Sequence, residues 1–192
     1  MLEQKDYNIH QDLINRCIKG DTLAQREIYR LYYKSMYNTC YRMLNDRVEA
    51  EDVMQEAFLA AFLKIRTYRG EMSFGSWLKR IVVNKSIDVL RARKVRFEEW
   101  NEKIGLPGEP AESEKTDGLD TVNLRVEKIR EAVQKLPEGF RIVLTLSLFE
   151  GYDHEEIAMI LKISESTSRS QLARAKRKLV EYLKIHKDET IG

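Results

Sequence analysis

Cysteine is sparse in this chain: Cys17 and Cys40 stand alone, with no C-x-x-C pair and no Cys/His cluster. That leaves a zinc site without a ligand set. Both residues sit among apolar neighbours at helical spacing, where free cysteine behaves as a small buried hydrophobe. No apolar run is long enough to span a bilayer, and "MLEQKDYNIHQDL" lacks the apolar stretch of a secretory signal. A cytoplasmic protein without membrane insertion, metal or cofactor is therefore expected. No segment alternates apolar and polar residues for long, which argues against sheet. Net charge is only +2, which by itself implies no polyanionic partner.

Proline and glycine are rare, three and nine, and they cluster. The stretch "IGLPGEPAESEKTDGLD", Ile104 to Asp120, holds two of the prolines and three of the glycines. From Glu98 to Asp120 there are eight acids against Lys103 and Lys115. Such a composition cannot bury a core and reads as a flexible acidic linker. The chain is thus expected to be all-α, with two small helical domains at 1–98 and 121–192 joined by a linker at 99–120.

In the first domain, Leu13, Ile14, Cys17 and Ile18 recur at helical spacing, with Gly20 as a stop and Asp21 as the next N-cap. A second helix runs through Ala24, Ile28 and Met36 to Leu44. A third runs from about Val48 to Tyr68, and a fourth opens near Ser73. In the third, Asp52, Gln55, Glu56 and Leu59 fall at i, i+3, i+4 and i+7 and share a face, while Val53, Ala57, Ala60 and Ala61 turn inward. That stripe reads as a docking face for a basic partner, a plain solvated face, or, with nothing to position a nucleophile or metal, a carboxylate pair for catalysis. The fourth helix reverses the sign, with Arg80, Lys85, Arg91 and further bases. Asn84 and Asp88 lie four apart beside them, and Phe74 and Trp77 stand at the front. Bases interleaved with aromatics suit melted nucleic acid; core packing is the alternative for the rings, and the stronger one for Trp77.

The second domain opens with a helix from about Thr121 to Lys135, then a mostly apolar helix closed by Gly151. Asp153, with Glu156 three residues on, caps a short helix as in a capping box. Lys162-Ile163-Ser164 make a three-residue turn, and Ser164 caps a long helix. Leu172, Ala175, Leu179 and Leu183 form its buried face, and Ser168, four before Leu172, also faces inward. Thr167, Arg169, Ser170 and Arg174 point away. From Arg169 to Lys187 there are seven bases, Arg177 and Lys178 among them, against Glu181 alone. This is the pattern of a helix-turn-helix, whose second helix reads bases with its small polar start and holds phosphates with its basic finish. A solvated basic helix within a bundle is the competing reading.

Taken in order, "AEDVMQEAFL", "FGSWLKRIVVNKSIDVLRARK" and "LPEGFRIVLTLSLFEGYDHEEIAMILKISESTSRSQLARAKRKL" resemble the small two-domain sigma factors of bacterial RNA polymerase, the extracytoplasmic-function subgroup. The resemblance implies a promoter-specificity subunit, not an enzyme. It implies that Asp52, Gln55, Glu56 and Leu59 dock on the clamp coiled coil of core polymerase. It places -10 promoter DNA on Arg80, Asn84, Lys85, Asp88 and Arg91, and the -35 element on Thr167, Arg169, Ser170, Arg174, Arg177 and Lys178. It further implies contact with the polymerase flap, a linker threading toward the active site, and control by an anti-sigma factor. The chain departs from the family pattern at Ser166 and Ser168, where glycine and valine are usual, and at Gln171 and Ala173.

Overall fold

The computed structural model describes residues 9–101 and 121–188; the first eight residues and positions 102–120 of the expected linker lie outside the described residues. Every regular element among the described residues is helical. The chain divides into two compact units, one ending at Leu90 and the other beginning at Arg91.

The first unit contains α1 (Gln11–Ile18), α2 (Thr22–Leu44), α3 (Arg47–Lys64) and the start of α4 (Phe74–Asn101). Asp21 caps α2 as expected, its carboxylate accepting from Leu23 N at 2.9 Å and Ala24 N at 3.1 Å. Asp46 caps α3, accepting from Glu49 N at 2.9 Å. The third helix is shorter than its sequence suggested, ending at Lys64 in a 3-10 turn over Ile65–Thr67. Ser73 caps α4, its hydroxyl accepting from Ser76 N at 3.1 Å. No proline or glycine lies between Ser76 and Asn101, so α4 runs on to Asn101 and takes in Glu99, Trp100 and Asn101, three residues that composition had placed in the linker.

The unit closes around Ile14, Ile28, Met36, Cys40, Met54, Phe58, Leu78 and Val82, all essentially buried. Cys17 and Cys40 are buried free thiols, and burial pushes the Cys17 pKa up, away from reactivity. Ser86 crosses from α4 to α2, its hydroxyl donating to Val82 O at 2.9 Å and lying 3.8 Å from Cys40 Sγ. Gly75 permits close approach, since a Cβ there would stand 3.1 Å from the Tyr32 ring.

The second unit contains α5 (Thr121–Gln134), α6 (Glu138–Leu144), α7 (His154–Leu161) and α8 (Glu165–Asp188). The apolar helix expected after Pro137 is not a single α-helix: it widens into a π turn over Thr145–Phe149. Residues 141 to 146 are all buried, which one face of an α-helix cannot supply, while Leu148 and Phe149 emerge half-exposed. Arg141, inside this run, donates from Nη1 to Leu136 O at 3.0 Å; burial lowers its pKa from the usual arginine value. No helix among the described residues is long and apolar enough to cross a membrane.

Hydrogen bonds from Ala24 N and then from the Arg16 guanidinium hold the Asp21 carboxyl below its ordinary pKa. Its contribution to stability is complete above the unfolded-state value and is lost as pH falls through the lowered folded value. Asp21→Asn keeps an acceptor at the cap but has no charge to lose. Its melting temperature, followed by circular dichroism, should therefore fall less than that of the wild type between about pH 5 and about pH 3. Parallel curves would contradict this role.

Candidate nucleic-acid and partner-binding surfaces

On α3 the sequence pattern holds. Asp52, Gln55, Glu56 and Leu59 are all exposed, Leu59 to 65%, while Val53, Ala57 and Ala61 are buried and Ala60 half-buried. The stripe is longer than those four residues. Val48, four before Asp52, is 73% exposed, and Leu63, four after Leu59, is 86% exposed. The same four-residue spacing identifies both. Gln55 Nε2 donates to Glu51 Oε1 at 3.4 Å, which adds a third acid beside the stripe.

On α4, Arg80, Asn84, Asp88 and Arg91 are exposed, and their three- and four-residue steps put them on one face. Lys85 does not join them. It is half-buried at the edge of the helix, and its ammonium donates to Glu56 Oε2 at 2.8 Å. The two surfaces that the sequence presents as separate are thus linked by an ion pair, with side chains 31% and 66% exposed. Such a pair contributes little to stability, about 0–1 kcal/mol. Its consequence is electrostatic: a carboxylate of the acidic stripe lies against a lysine of the basic helix.

The aromatics at the front of α4 are structural to different degrees. Phe74 is 1% exposed and cannot stack on a base. Its ring meets Tyr32 and Tyr68, each at 5.5 Å between centroids, and Trp77 at 5.5 Å. Trp77 is half-buried and packs on Tyr68 at 5.4 Å, in keeping with a core role. Tyr68 closes the preceding loop by donating its hydroxyl to Met72 O at 2.6 Å. The cluster fixes where α4 begins, and therefore how its exposed face is presented.

In the second unit α7, the turn and α8 form the expected helix-turn-helix. Both halves of the capping box are made: Glu156 N donates to Asp153 Oδ1 at 2.8 Å, and Asp153 N to Glu156 Oε2 at 3.1 Å. Lys162 takes the left-handed conformation, φ 56°, that ends α7, and Ile163 is half-buried in the turn. Ser164 caps α8, its hydroxyl accepting from Thr167 N at 3.1 Å.

Arg169, Ser170, Arg174 and Arg177 are exposed on α8. Thr167 is not turned fully outward: it is half-buried, and its hydroxyl lies 2.8 Å from that of Ser164 because it takes part in the cap. Arg169 pairs with Glu165 one turn back, and Ser170 donates to Thr167 O at 3.0 Å. Lys178 is half-buried, its ammonium 5.6 Å from the centre of the Tyr182 ring. The inner face is narrower than the leucine spacing suggested. Leu172 and Ala175 are buried, but Leu179 and Leu183 are only half-buried. Ser168 faces inward as expected and is wholly buried.

Among the described residues, no group of three or more His, Cys, Asp or Glu side chains could hold a metal ion. What the two units offer is surface: a stripe of acids and leucines, a basic face on the neighbouring helix, and a basic helix on a capped support.

Comparison with known proteins agrees with this arrangement. Residues 28–96 match the family Sigma-70 region 2, and residues 126–179 match Sigma-70, region 4. The chain is 32% identical over 177 residues to the ECF RNA polymerase sigma factor SigW of Bacillus subtilis (strain 168), covering 89% of this chain and 95% of SigW. It is 30% identical over 178 residues to the RNA polymerase sigma-H factor of Pseudomonas aeruginosa, covering 86% and 89%. Two solved structures share the fold at 20% identity. One is the sigma factor RpoE in complex with the anti-sigma factor NepR from Bartonella quintana, with a TM-score of 0.57 over 83% of this chain and 96% of that one. The other is CnrH in complex with the cytosolic domain of CnrY, with a TM-score of 0.54 over 92% and 97%. With both regions present in order, and this identity over nearly the full length of a relative, the chain belongs to the ECF sigma factors of RNA polymerase.

Proposed function

We propose that this chain gives core RNA polymerase the ability to recognise a subset of promoters and to open them. Sigma factors are not a class of enzymes, and no catalytic residue is assigned. The observation that carries the reading is the adjacency on one unit of an exposed acidic-apolar stripe and an exposed basic face, with a helix-turn-helix on the other. In this reading residues 1–98 form the polymerase-docking and -10 domain, 99–120 an acidic linker, and 121–192 the -35 domain.

Asp52, Gln55, Glu56 and Leu59 would meet the clamp coiled coil: two acids for its basic side chains, an amide and a leucine for its apolar ones. Arg80, Asn84, Asp88 and Arg91 would hold the -10 strand, the arginines on phosphates, the amide and carboxylate on base edges, with Lys85, paired with Glu56, at the edge of that surface. On α8, Arg169, Ser170 and Arg174 would face the -35 bases, with Thr167 at the edge of that surface. Arg177 and Lys178 would lie along the phosphates. RpoE and CnrH were each solved with a partner, NepR and the cytosolic domain of CnrY, which favours an anti-sigma factor as a partner of this chain too.

The direct test is to mix the purified chain with core RNA polymerase and promoter fragments. Co-elution and promoter-dependent transcripts are expected, with weak duplex binding by the chain alone. Tight binding of a dimer to palindromic duplex without polymerase would point instead to a stand-alone helix-turn-helix regulator.

Arg174→Ala should weaken -35-dependent initiation by about 1–3 kcal/mol if its guanidinium takes a base in bidentate fashion. Normal transcription by that variant would remove the role. Arg177→Ala should act differently, weakening binding across sequences and lowering the log–log salt slope by about 0.9. An unchanged slope would show that Arg177 makes no phosphate contact.

A further inference from the structure

We propose that Ser168 and His154 form a positioning pair that sets the aim of α8 on the -35 element from inside the helix-turn-helix. The proposal rests on the reading of α8 given above. Ser168 has no exposed surface to offer DNA, and His154 belongs to the other helix. Their Oγ and Nδ1 atoms lie 2.9 Å apart, hydrogen-bonded across the motif.

The geometry makes this contact decisive. The turn fixes one corner of the motif, where Lys162 is left-handed and Ile163 N donates to Ala158 O at 3.1 Å. His154 is the first of the eight residues of α7, so it sits at the end of α7 away from that corner. Eight residues of helix span about 12 Å. A slip of about 1 Å at that distance corresponds to a swing of roughly 5°.

Apolar packing resists such a swing without fixing its direction. The other buried residues of these two helices, Ile157, Leu172 and Ala175, make non-directional contacts. A hydrogen bond between a buried hydroxyl and an imidazole is directional and short-ranged, and stretching it costs the buried Ser168 hydroxyl this partner. Both of its ends are anchored. The capping box holds the start of α7, and Ser168 N donates to Ser164 O at 3.0 Å in the first turn of α8. Arg169 and Ser170 follow Ser168 directly, so any rotation or tilt of α8 at Ser168 moves them with it.

The test uses reconstituted holoenzyme carrying the wild-type chain, Ser168→Ala, His154→Ala or both changes. The probe is a promoter library randomised over the -35 element with the rest held constant. Each single variant and the double variant should lose the same discrimination between preferred and rejected -35 sequences, about tenfold. Initiation from a fragment with a scrambled -35 element should stay at the wild-type rate. That combination separates positioning from simple loss of stability, which lowers transcription from both templates. Losses that add in the double variant, equal losses on the scrambled template, or retained discrimination would each overturn the proposal. His154→Ala, at the half-buried partner, serves alone should Ser168→Ala fold poorly. A wild-type holoenzyme indifferent to the -35 sequence would overturn the reading of α8 itself.

Discussion

Helices α3 and α4 both bury an apolar face in the core of the first unit, and that constraint decides where their opposite charges can lie. Val53, Ala57 and Ala61 on α3, and Leu78, Val82 and Val83 on α4, are buried. With their inner faces committed to the core, the charged residues have only the outer faces. The acids gather on one helix and the bases on the next, and they meet where Glu56 reaches Lys85 at 2.8 Å. In the proposed reading two partners of opposite character, a protein with basic helices and a nucleic acid, would meet these adjoining surfaces. The Tyr32, Tyr68, Phe74 and Trp77 cluster supports this arrangement by fixing the start of α4.

The second unit solves a different problem, which is to present a helix end rather than a helix face. In the proposed reading α8 reads bases, which asks that it begin cleanly and be held firmly. Ser164 supplies the beginning, and the Asp153 and Glu156 capping box steadies the helix beneath it. Small side chains at the start of α8 leave room for close approach to a groove, and the helix dipole favours phosphate there. The basic residues begin on the outer face while Leu172 and Ala175 are still buried beneath, and continue past Leu179 and Leu183, which are half-buried.

Much of this was legible in the residues because it depends on local chemistry. Asp21, Asp153 and Ser164 announce helix starts through their side chains, and the acid stripe of α3 follows from spacing alone. The inward turn of Ser168 came from its distance to Leu172. What stayed hidden depends on neighbours distant in sequence. The π turn at Thr145–Phe149 lies at the end of the continuously buried run 141–146, which a run of apolar letters does not distinguish from an ordinary buried helix. Lys85 reads as one more base until α3 is placed beside it. Spacing favours a core place for Trp77 more than for Phe74, yet Phe74 is the one fully enclosed, between Tyr32 and Tyr68, while Trp77 is half-buried. The bond between Ser168 and His154 joins residues of two helices and leaves no periodic trace.

The account places attachment to the polymerase on the acids of α3, and that is where it is most open to test. Replacing Asp52 and Glu56 together by lysine reverses the charge of an exposed stripe and leaves the buried face of α3 untouched. The decisive measurement is co-elution of this double variant with core RNA polymerase, with its helical content checked by circular dichroism. The account predicts a folded chain that no longer co-elutes; a folded chain that still attaches as the wild type does would contradict it.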